Sequence, residues 1–170
     1  MRKRRYKVLF CDLDGTLIEA LSGRTFPQGI WDMRFKFDVL DAIKRLSPEY
    51  VFLVTNQGGI ALGHLSSSSF SQKFSYICRA VSDYCGIPKC TGAWCESMNT
   101  SDPRRKPNSG MLWEVLRLYP EALQLPAQSY LMIGDASGLE GQFSDTDKMT
   151  AANFGIPYMD VSEFVSVYGQ

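Results

Sequence analysis

The feature that most constrains the fold is a short apolar run, residues 8–11, which ends abruptly at Asp12 and is followed by Asp14 and Gly15. The run has the length of a β-strand, and the alternation of an extended chain places Asp12 and Asp14 on the same side. Two such carboxylates repel each other unless a cation lies between them, and Mg²⁺ prefers oxygen ligands. Because Asp-Gly is common in turns, a strand that ends in an ordinary polar turn would give the same pattern. The pattern therefore predicts either a Mg²⁺ site or a polar turn.

Strand-like and helix-like segments alternate along the rest of the chain. Strands are predicted over 50–54, 91–95, 129–133 and 156–159, and helices over 35–46, 66–85 and 111–118, with a final helix from about residue 144. Residues 19–31 are rich in turn formers and are expected to form an irregular loop over the strand ends. The alternation predicts an α/β fold, a three-layer α/β/α sandwich around a doubly wound parallel sheet. We find no linker or repeat and expect one domain over residues 1–170.

Overall charge does not identify a partner, because the formal net charge of the 170 residues is zero. The charge is uneven locally, since basic residues crowd the N-terminus. These residues are Arg2, Lys3, Arg4, Arg5 and Lys7. Either a solvated tail or a contact with a nucleic-acid backbone explains this cluster.

The sequence gives no sign of export or membrane insertion. No apolar stretch is long enough to span a membrane, and the basic start leads straight into the acidic strand end instead of a signal-peptide core. Five cysteines are an odd number, and Cys11 lies next to Asp12. A reduced, cytoplasmic protein is the simplest interpretation.

Polar residues with useful chemistry follow the later strands. The hydroxyl of Thr55 is suited to holding a phosphoryl oxygen, although a strand-end turn also explains it. Lys106 precedes Pro107, which is expected to open a helix, and either supplies positive charge to a reacting phosphate or is a surface lysine. Asp135 provides a third carboxylate for a metal. Asp147 is placed to orient a metal-bound water or Lys106.

In this order, these residues resemble the four motifs of the haloacid dehalogenase-like (HAD) phosphohydrolases, starting with Asp-Leu-Asp-Gly-Thr-Leu after an apolar strand. The matching residues are Asp12, Asp14, Thr55, Lys106, Asp135 and Asp147. The resemblance implies that Asp12 attacks phosphorus and that Asp14 first protonates the leaving oxygen and then activates water. It also implies that Thr55 and Lys106 stabilise the phosphoryl oxygens. Mg²⁺ would bridge Asp12, the backbone carbonyl of Asp14, and Asp135.

Further segments are similar to the phosphatase domain of polynucleotide kinase 3′-phosphatase. They are Ser22-Gly23 with Phe26-Pro27, Thr-Asn-Gln-x-Gly-Ile, Arg-Lys-Pro-x-Ser-Gly-Met and Gly-Asp-Ala-x-Gly. This resemblance implies a Rossmann-like core sheet without a large cap domain and a substrate that carries a 3′-phosphate on a DNA or other polynucleotide end. The residues expected to contact that substrate are Ser22, Arg24, Asn56, Gln57 and Arg105. No obligate protein partner is evident.

Two other functions are compatible with the same motifs. Histidinol-phosphate and heptose-bisphosphate phosphatases share the first three motifs, but they usually carry a zinc loop of three cysteines and a histidine. Here Cys85, Cys90 and Cys95 lack a neighbouring histidine, because His64 is the only one in the chain, so we expect buried thiols and no structural zinc. A binding module switched by phosphorylation of Asp12 is the third alternative, and Asp14 argues against it, since an acid placed to activate water shortens the phosphorylated state.

Overall fold

The computed structural model describes residues 5–170, which form a parallel sheet with helices on both faces. The strands are β1 (Val8–Cys11), β2 (Ile18–Ala20), β3 (Met33–Phe35), β4 (Tyr50–Asn56), β5 (Cys90–Cys95), β6 (Tyr130–Gly134) and β7 (Tyr158–Asp160). The helices are α1 (Phe37–Leu46), α2 (Gly58–Ala61), α3 (Ser67–Cys85), α4 (Gly110–Arg117), α5 (Pro120–Leu123), α6 (Thr146–Phe154) and α7 (Val161–Tyr168).

Five strands form the sheet in the order β5-β4-β1-β6-β7, and all their pairings are parallel. β2 and β3 form a separate antiparallel hairpin. The predicted α/β/α architecture is confirmed, and residues 5–170 include no large cap domain.

The central strand β1 is buried on both faces. Leu9 and Cys11 belong to the core that packs beneath α1, α3 and α7, whereas Val8 and Phe10 belong to the core beneath α4 and α6. A strand covered on both sides needs apolar residues at every position, which explains the uninterrupted apolar run in the sequence. The burial fixes β1 in the middle of the sheet and brings Asp12 to its carboxyl edge.

The predicted strands and most predicted helices are confirmed, with shifts of at most two residues at their ends. The helix predicted to begin at Phe35 begins at Phe37, because Phe35 pairs with Ile18 in the β2–β3 hairpin. α3 begins as predicted at a serine cap, where the Ser66 hydroxyl accepts a hydrogen bond from the Ser69 N–H at 3.1 Å.

The prediction of an irregular loop over residues 19–31 is wrong at its start. Glu19 lies in β2 and forms an exposed ion pair of 2.6 Å with Arg34 in β3. Each strand has three residues, which is too short for an alternating pattern to be visible in the sequence. Residues 21–32 do form an irregular segment, with a short 3₁₀ turn at its end, and we call this segment the 21–32 loop.

Two helix predictions are wrong. Pro107 does not open a helix, because the backbone continues in turns, one closed by the Gly110 N–H on the Pro103 carbonyl at 2.9 Å, and α4 begins at Gly110. The helix predicted from about residue 144 is also not the final helix. α7 follows β7 directly, and the Asp160 carboxylate caps it by accepting from the Ser162 N–H at 2.9 Å.

Some sequence predictions concern features outside the sheet. Arg2, Lys3 and Arg4 lie outside the described residues, while Lys7 forms an exposed ion pair with Glu49 at 3.0 Å. No helix among residues 5–170 combines the length and apolarity needed to cross a membrane. All five cysteines are free thiols, and burial raises the pKa of Cys85 to about 11. The single domain and the cytoplasmic location stay predictions.

Phe164 tests the contribution of α7, which the sequence did not predict. Its ring is fully buried between α7 and the core, so Phe164→Ala should lower the free energy of unfolding by about 3–5 kcal/mol through the cavity it leaves. Phe143 is the matched control: it is 76% exposed, and Phe143→Ala should change stability by less than about 0.5 kcal/mol. Urea unfolding of both variants measures the difference, and equal changes would contradict the packing of α7.

Candidate active site

The carboxyl ends of β1, β4 and β6 lie side by side and bring three of the predicted residues together. Cys11 is level with Leu53 of β4 and Ile133 of β6, so the residues that follow these strands leave the sheet at one edge. Asp12 follows β1, Thr55 lies near the end of β4, and Asp135 follows β6. Ligands of parallel α/β sheets bind at this edge.

Lys106 lies at the centre of the site, between two carboxylates. Its Nζ is 2.6 Å from Oδ1 of Asp12 and 2.6 Å from Oδ1 of Asp147, and the residue is 4% exposed. Burial alone would lower the pKa of Lys106, but the charges of Asp12 and Asp147 raise it above its usual value, so the ammonium stays protonated. The surface-lysine alternative is therefore excluded for Lys106.

Asn56 fixes the backbone that carries this lysine. Its side-chain Nδ2 donates to the Lys106 carbonyl at 3.0 Å, and its Oδ1 accepts from the Lys106 N–H at 3.0 Å. Asn153 donates to the carbonyl of Pro107 at 2.9 Å. Asn56, predicted to contact substrate, thus uses its amide on Lys106, and any contact of Asn56 with substrate stays a prediction.

Three carboxylates, those of Asp12, Asp135 and Asp147, place one oxygen each within 4.8 Å of one another. Burial raises the pKa of Asp12 well above its usual range, against the opposing charge of Lys106. Burial and the charge of Asp147 raise the pKa of Asp135 to about 6. One lysine does not neutralise three carboxylates, so this donor set suits a divalent cation with oxygen ligands.

The bonds of Asp147 separate its role from those of the other two acids. One oxygen accepts from Lys106, and the other accepts from the Ala136 N–H at 3.1 Å. Both oxygens of Asp147 therefore have close donors, and its side chain is 1% exposed. Asp12 also accepts two hydrogen bonds, from Lys106 at 2.6 Å and from the Thr16 hydroxyl at a longer 3.3 Å, but it follows β1 directly at the edge of the sheet, as Asp135 follows β6. Residues 12 and 135 fit Mg²⁺, and Asp147 fits the predicted role of orienting Lys106.

Gly15 makes the close approach of these groups possible. Its φ of +84° belongs to the left-handed region, and a Cβ at this position would lie 2.0 Å from Oδ2 of Asp135. The Lys36 ammonium donates a hydrogen bond to the Gly15 carbonyl at 2.8 Å and so stabilises the turn. Gly15 therefore lets the chain turn directly beside Asp135.

Asp14 points to a different set of partners. Its Oδ2 accepts from Nε2 of Gln57 at 2.7 Å, and the same Nε2 is 2.9 Å from Oγ1 of Thr55. Its Oδ1 is buried, has no hydrogen-bond partner among residues 5–170, and lies 4.0 Å from Nζ of Lys73. Gln57 thereby connects the ends of β1 and β4.

The 21–32 loop is folded around the carboxylate of Asp32, which is 2% exposed. This carboxylate accepts from the Ser22 N–H at 2.8 Å, the Ser22 hydroxyl at 2.9 Å and the Gln28 N–H at 2.9 Å. These bonds, together with the charge of Arg24, lower the pKa of Asp32. Ser22 therefore anchors the loop, and its contact with substrate stays a prediction.

The outer part of the loop is open to solvent. Arg24 is exposed, Phe26 is 53% exposed, and Trp31 is 75% exposed. Arg105, which precedes Lys106, donates from Nη1 to the carbonyl of Ser97 at 2.7 Å and is half-buried. Substrate contacts of Arg24 and Arg105 stay predictions.

Four residues of the site were not identified from the sequence. The Thr16 hydroxyl donates to Oδ2 of Asp12 at 3.3 Å, and Lys36, Asp32 and Lys73 act as described above. Only Lys73 carried a visible signal, because it is a charged residue in the apolar stripe of α3.

The chain is similar in sequence to known proteins. The sequence matches the family described as polynucleotide kinase 3 phosphatase over residues 7–165. It is 30% identical over 165 residues to the bifunctional polynucleotide phosphatase/kinase of Schizosaccharomyces pombe, a match that covers 95% of this chain and 38% of that protein. The chain thus spans well under half the length of this relative.

Heptose phosphatases are also similar to the chain. The D-glycero-beta-D-manno-heptose-1,7-bisphosphate 7-phosphatase of Haemophilus influenzae is 30% identical over 141 residues, which are 76% of this chain and 71% of that protein. A solved structure of the D,D-heptose 1.7-bisphosphate phosphatase from B. bronchiseptica, complexed with magnesium and phosphate, superposes with a TM-score of 0.68 at 22% identity. It covers 89% of this chain and 78% of that one. At this identity the superposition establishes the fold.

Mg²⁺ dependence tests the carboxylate set. EDTA should abolish hydrolysis of p-nitrophenyl phosphate, and added Mg²⁺ should restore it. Gly15→Ala should require about 10–100-fold more Mg²⁺ for half-maximal activity, because the new Cβ displaces the Asp135 carboxylate. A Mg²⁺ titration of activity in the wild type and the variant measures the shift.

Gly141 provides the matched control for backbone strain. Its φ of +85° equals that of Gly15 within a degree, but a Cβ there would have nothing within 4 Å. Gly141→Ala should therefore lose similar backbone stability and keep the wild-type Mg²⁺ requirement. If both variants needed the same extra Mg²⁺, the collision with Asp135 would not be the cause.

Proposed function

The chain belongs to the polynucleotide kinase 3 phosphatase family of HAD-like phosphatases, and from that premise we propose a Mg²⁺-dependent phosphomonoesterase that removes 3′-phosphates from polynucleotide ends. The observation that carries the chemistry is the buried carboxylate of Asp12, held at 2.6 Å by Lys106 at the carboxyl edge of the sheet. The substrate proposal rests on the family and on the open 21–32 loop.

Asp12 is the nucleophile in this proposal. Its carboxylate forms a bond to phosphorus as the bond to the leaving oxygen breaks, which gives an aspartyl-phosphate. Asp14 gives its proton to the leaving oxygen. In the second half-reaction Asp14 takes a proton from water, whose oxygen attacks phosphorus and releases Asp12.

Other residues of the site stabilise the negative charge of the phosphoryl oxygens. Lys106 keeps its proton beside Asp12. Thr55 provides a hydroxyl, which accepts a hydrogen bond from the same Gln57 side chain that donates to Asp14. Asp12, Asp135 and the backbone carbonyl of Asp14 would hold Mg²⁺. The bound ion would neutralise the excess carboxylate charge and that of the phosphate.

The surroundings of the site favour a large substrate. No large cap lies over the strand ends among residues 5–170, so a polymer end has room to enter. The 21–32 loop offers Arg24 for a neighbouring phosphate and the exposed rings of Phe26 and Trp31 for a nucleobase. Stacking of a base on an aromatic ring contributes about 1–3 kcal/mol.

A small-metabolite phosphatase is the second candidate function. The similarity to the Haemophilus influenzae heptose phosphatase, which extends over 76% of this chain, favours it. The two candidates share the chemistry of Asp12 and Asp14 and differ in what the 21–32 loop recognises.

Substitution of the two acids tests the mechanism. Asp12→Asn should remove turnover, because no nucleophile remains, and Asp14→Asn should slow it by about 10²–10⁴-fold through lost proton transfer. Phosphate release from phenyl phosphate, whose basic leaving group needs the proton from Asp14, measures both. Asp83→Asn, which alters an exposed acid of α3, is the control and should retain full activity. Near-normal turnover by Asp12→Asn would disprove the aspartyl-phosphate route.

A second test addresses the substrate. The kcat/KM for a 3′-phosphorylated oligonucleotide should exceed that for a nucleoside 3′-phosphate and should fall as salt is added, because counterions are released on binding. Arg24→Ala should reduce this preference and leave p-nitrophenyl phosphate hydrolysis nearly unchanged, since Arg24 is exposed and outside the carboxylate set. Parallel assays of the three substrates measure the preference.

Arg117→Ala is the matched control, because Arg117 is exposed at the end of α4. It should preserve the preference for the oligonucleotide. Equal kcat/KM values for oligonucleotide and mononucleotide, unaffected by salt, would favour the small-metabolite phosphatase instead.

A further inference from the structure

Lys73 is a buried charge whose position the proposed chemistry does not require. It is 4% exposed and lies in the apolar stripe of α3 with Phe70, Phe74 and Ile77. An ammonium group loses its hydration in such a place and needs a compensating partner. Asp14 is that partner, since its Oδ1 lies 4.0 Å from Nζ of Lys73 and the two side chains are 7% and 5% exposed.

The two oxygens of Asp14 face different surroundings. Oδ2 accepts from Gln57 at 2.7 Å beside Thr55, on the side of the reacting groups. Oδ1 is sealed from solvent and accepts no hydrogen bond from residues 5–170. A buried carboxylate oxygen without a donor is costly, so the nearby charge of Lys73 is what stabilises this orientation.

We propose that Lys73 is a positioning residue, which anchors Oδ1 of Asp14 so that Oδ2 is presented to the leaving oxygen and later to water. The inference rests on the proposed role of Asp14 as acid and base. Lys73 itself touches neither substrate nor phosphorus in this scheme. Without it, the Gln57 hydrogen bond would be the remaining side-chain contact described for the Asp14 carboxylate, and both proton transfers would lose part of their geometry.

The leaving group provides a readout that a purely structural role would not change. p-Nitrophenolate is a stable anion and departs with little help from an acid, whereas phenolate is more basic and depends on the proton from Asp14. Loss of a positioned acid therefore lowers kcat/KM for phenyl phosphate more than for p-nitrophenyl phosphate. The ratio of the two is measured within one preparation, so it does not depend on the folded fraction.

The experiment measures this ratio in the wild type, Lys73→Met, Lys73→Arg and Asp14→Asn. Lys73→Met should lower kcat/KM for phenyl phosphate about tenfold relative to p-nitrophenyl phosphate, a part of the effect expected for Asp14→Asn. Lys73→Arg restores the positive charge and should recover part of the ratio. Lys44→Met, at an exposed lysine of α1, should not change it.

Each other outcome counts against the inference. An equal loss on both substrates in Lys73→Met would show that Lys73 only supports the fold, and wild-type kcat/KM values on both substrates would show that Asp14 needs no anchor. If Lys73→Met is insoluble, the ratio in Lys73→Arg and in Lys73→Gln decides, with a larger loss expected for Lys73→Gln than for Lys73→Arg. If Asp14→Asn itself leaves the ratio unchanged, the proposed role of Asp14 fails, and this inference fails with it.

Discussion

The contact on which the rest of the site depends is the buried ammonium of Lys106 between Asp12 and Asp147. It joins the ends of β1, the turn before α4 and the start of α6, which are far apart in the sequence. Buried ion pairs contribute little net stability, because the loss of hydration offsets their attraction. The surrounding hydrogen bonds of Asn56 and the Ala136 N–H therefore hold an arrangement that contributes little stability of its own and that the proposed mechanism requires.

The same contact leaves the site with more negative than positive charge. Asp135 remains without a lysine of its own, and burial with the charge of Asp147 raises its pKa to about 6. The crowding is tolerated because Gly15 and Gly134 have no side chains: a Cβ would lie 2.0 Å from Asp135 at one position and 2.2 Å from Asp147 at the other. The two glycines and the excess negative charge therefore fit the proposed binding of a cation and a phosphate at this site.

The sequence predicted the parts of the site that strand ends position. Asp12, Thr55 and Asp135 could be placed together because parallel strands bring their carboxyl ends to one edge of the sheet. Lys73 and Asp32 could not be placed, because their contacts depend on how α3 and the 21–32 loop pack over that edge, which no local pattern encodes. The β2–β3 hairpin was missed because three-residue strands give too little periodicity to recognise. α7 did carry a signal, because Val161, Phe164, Val165 and Tyr168 follow helical spacing, and the sequence interpretation did not use it.

In the proposed function, the residues at the sheet edge carry out the chemistry and the 21–32 loop recognises the substrate. The groups at the sheet edge would act on a phosphate whatever is attached to it, so they would not distinguish a polynucleotide end from a sugar phosphate. Recognition would fall to the 21–32 loop, which the hydrogen bonds to Asp32 stabilise while Arg24 and Trp31 face solvent. A change in the exposed part of this loop can alter the substrate without disturbing Asp12 or Lys106. The sheet-edge chemistry is therefore compatible with different substrates, and the loop is where substrate specificity has to be tested.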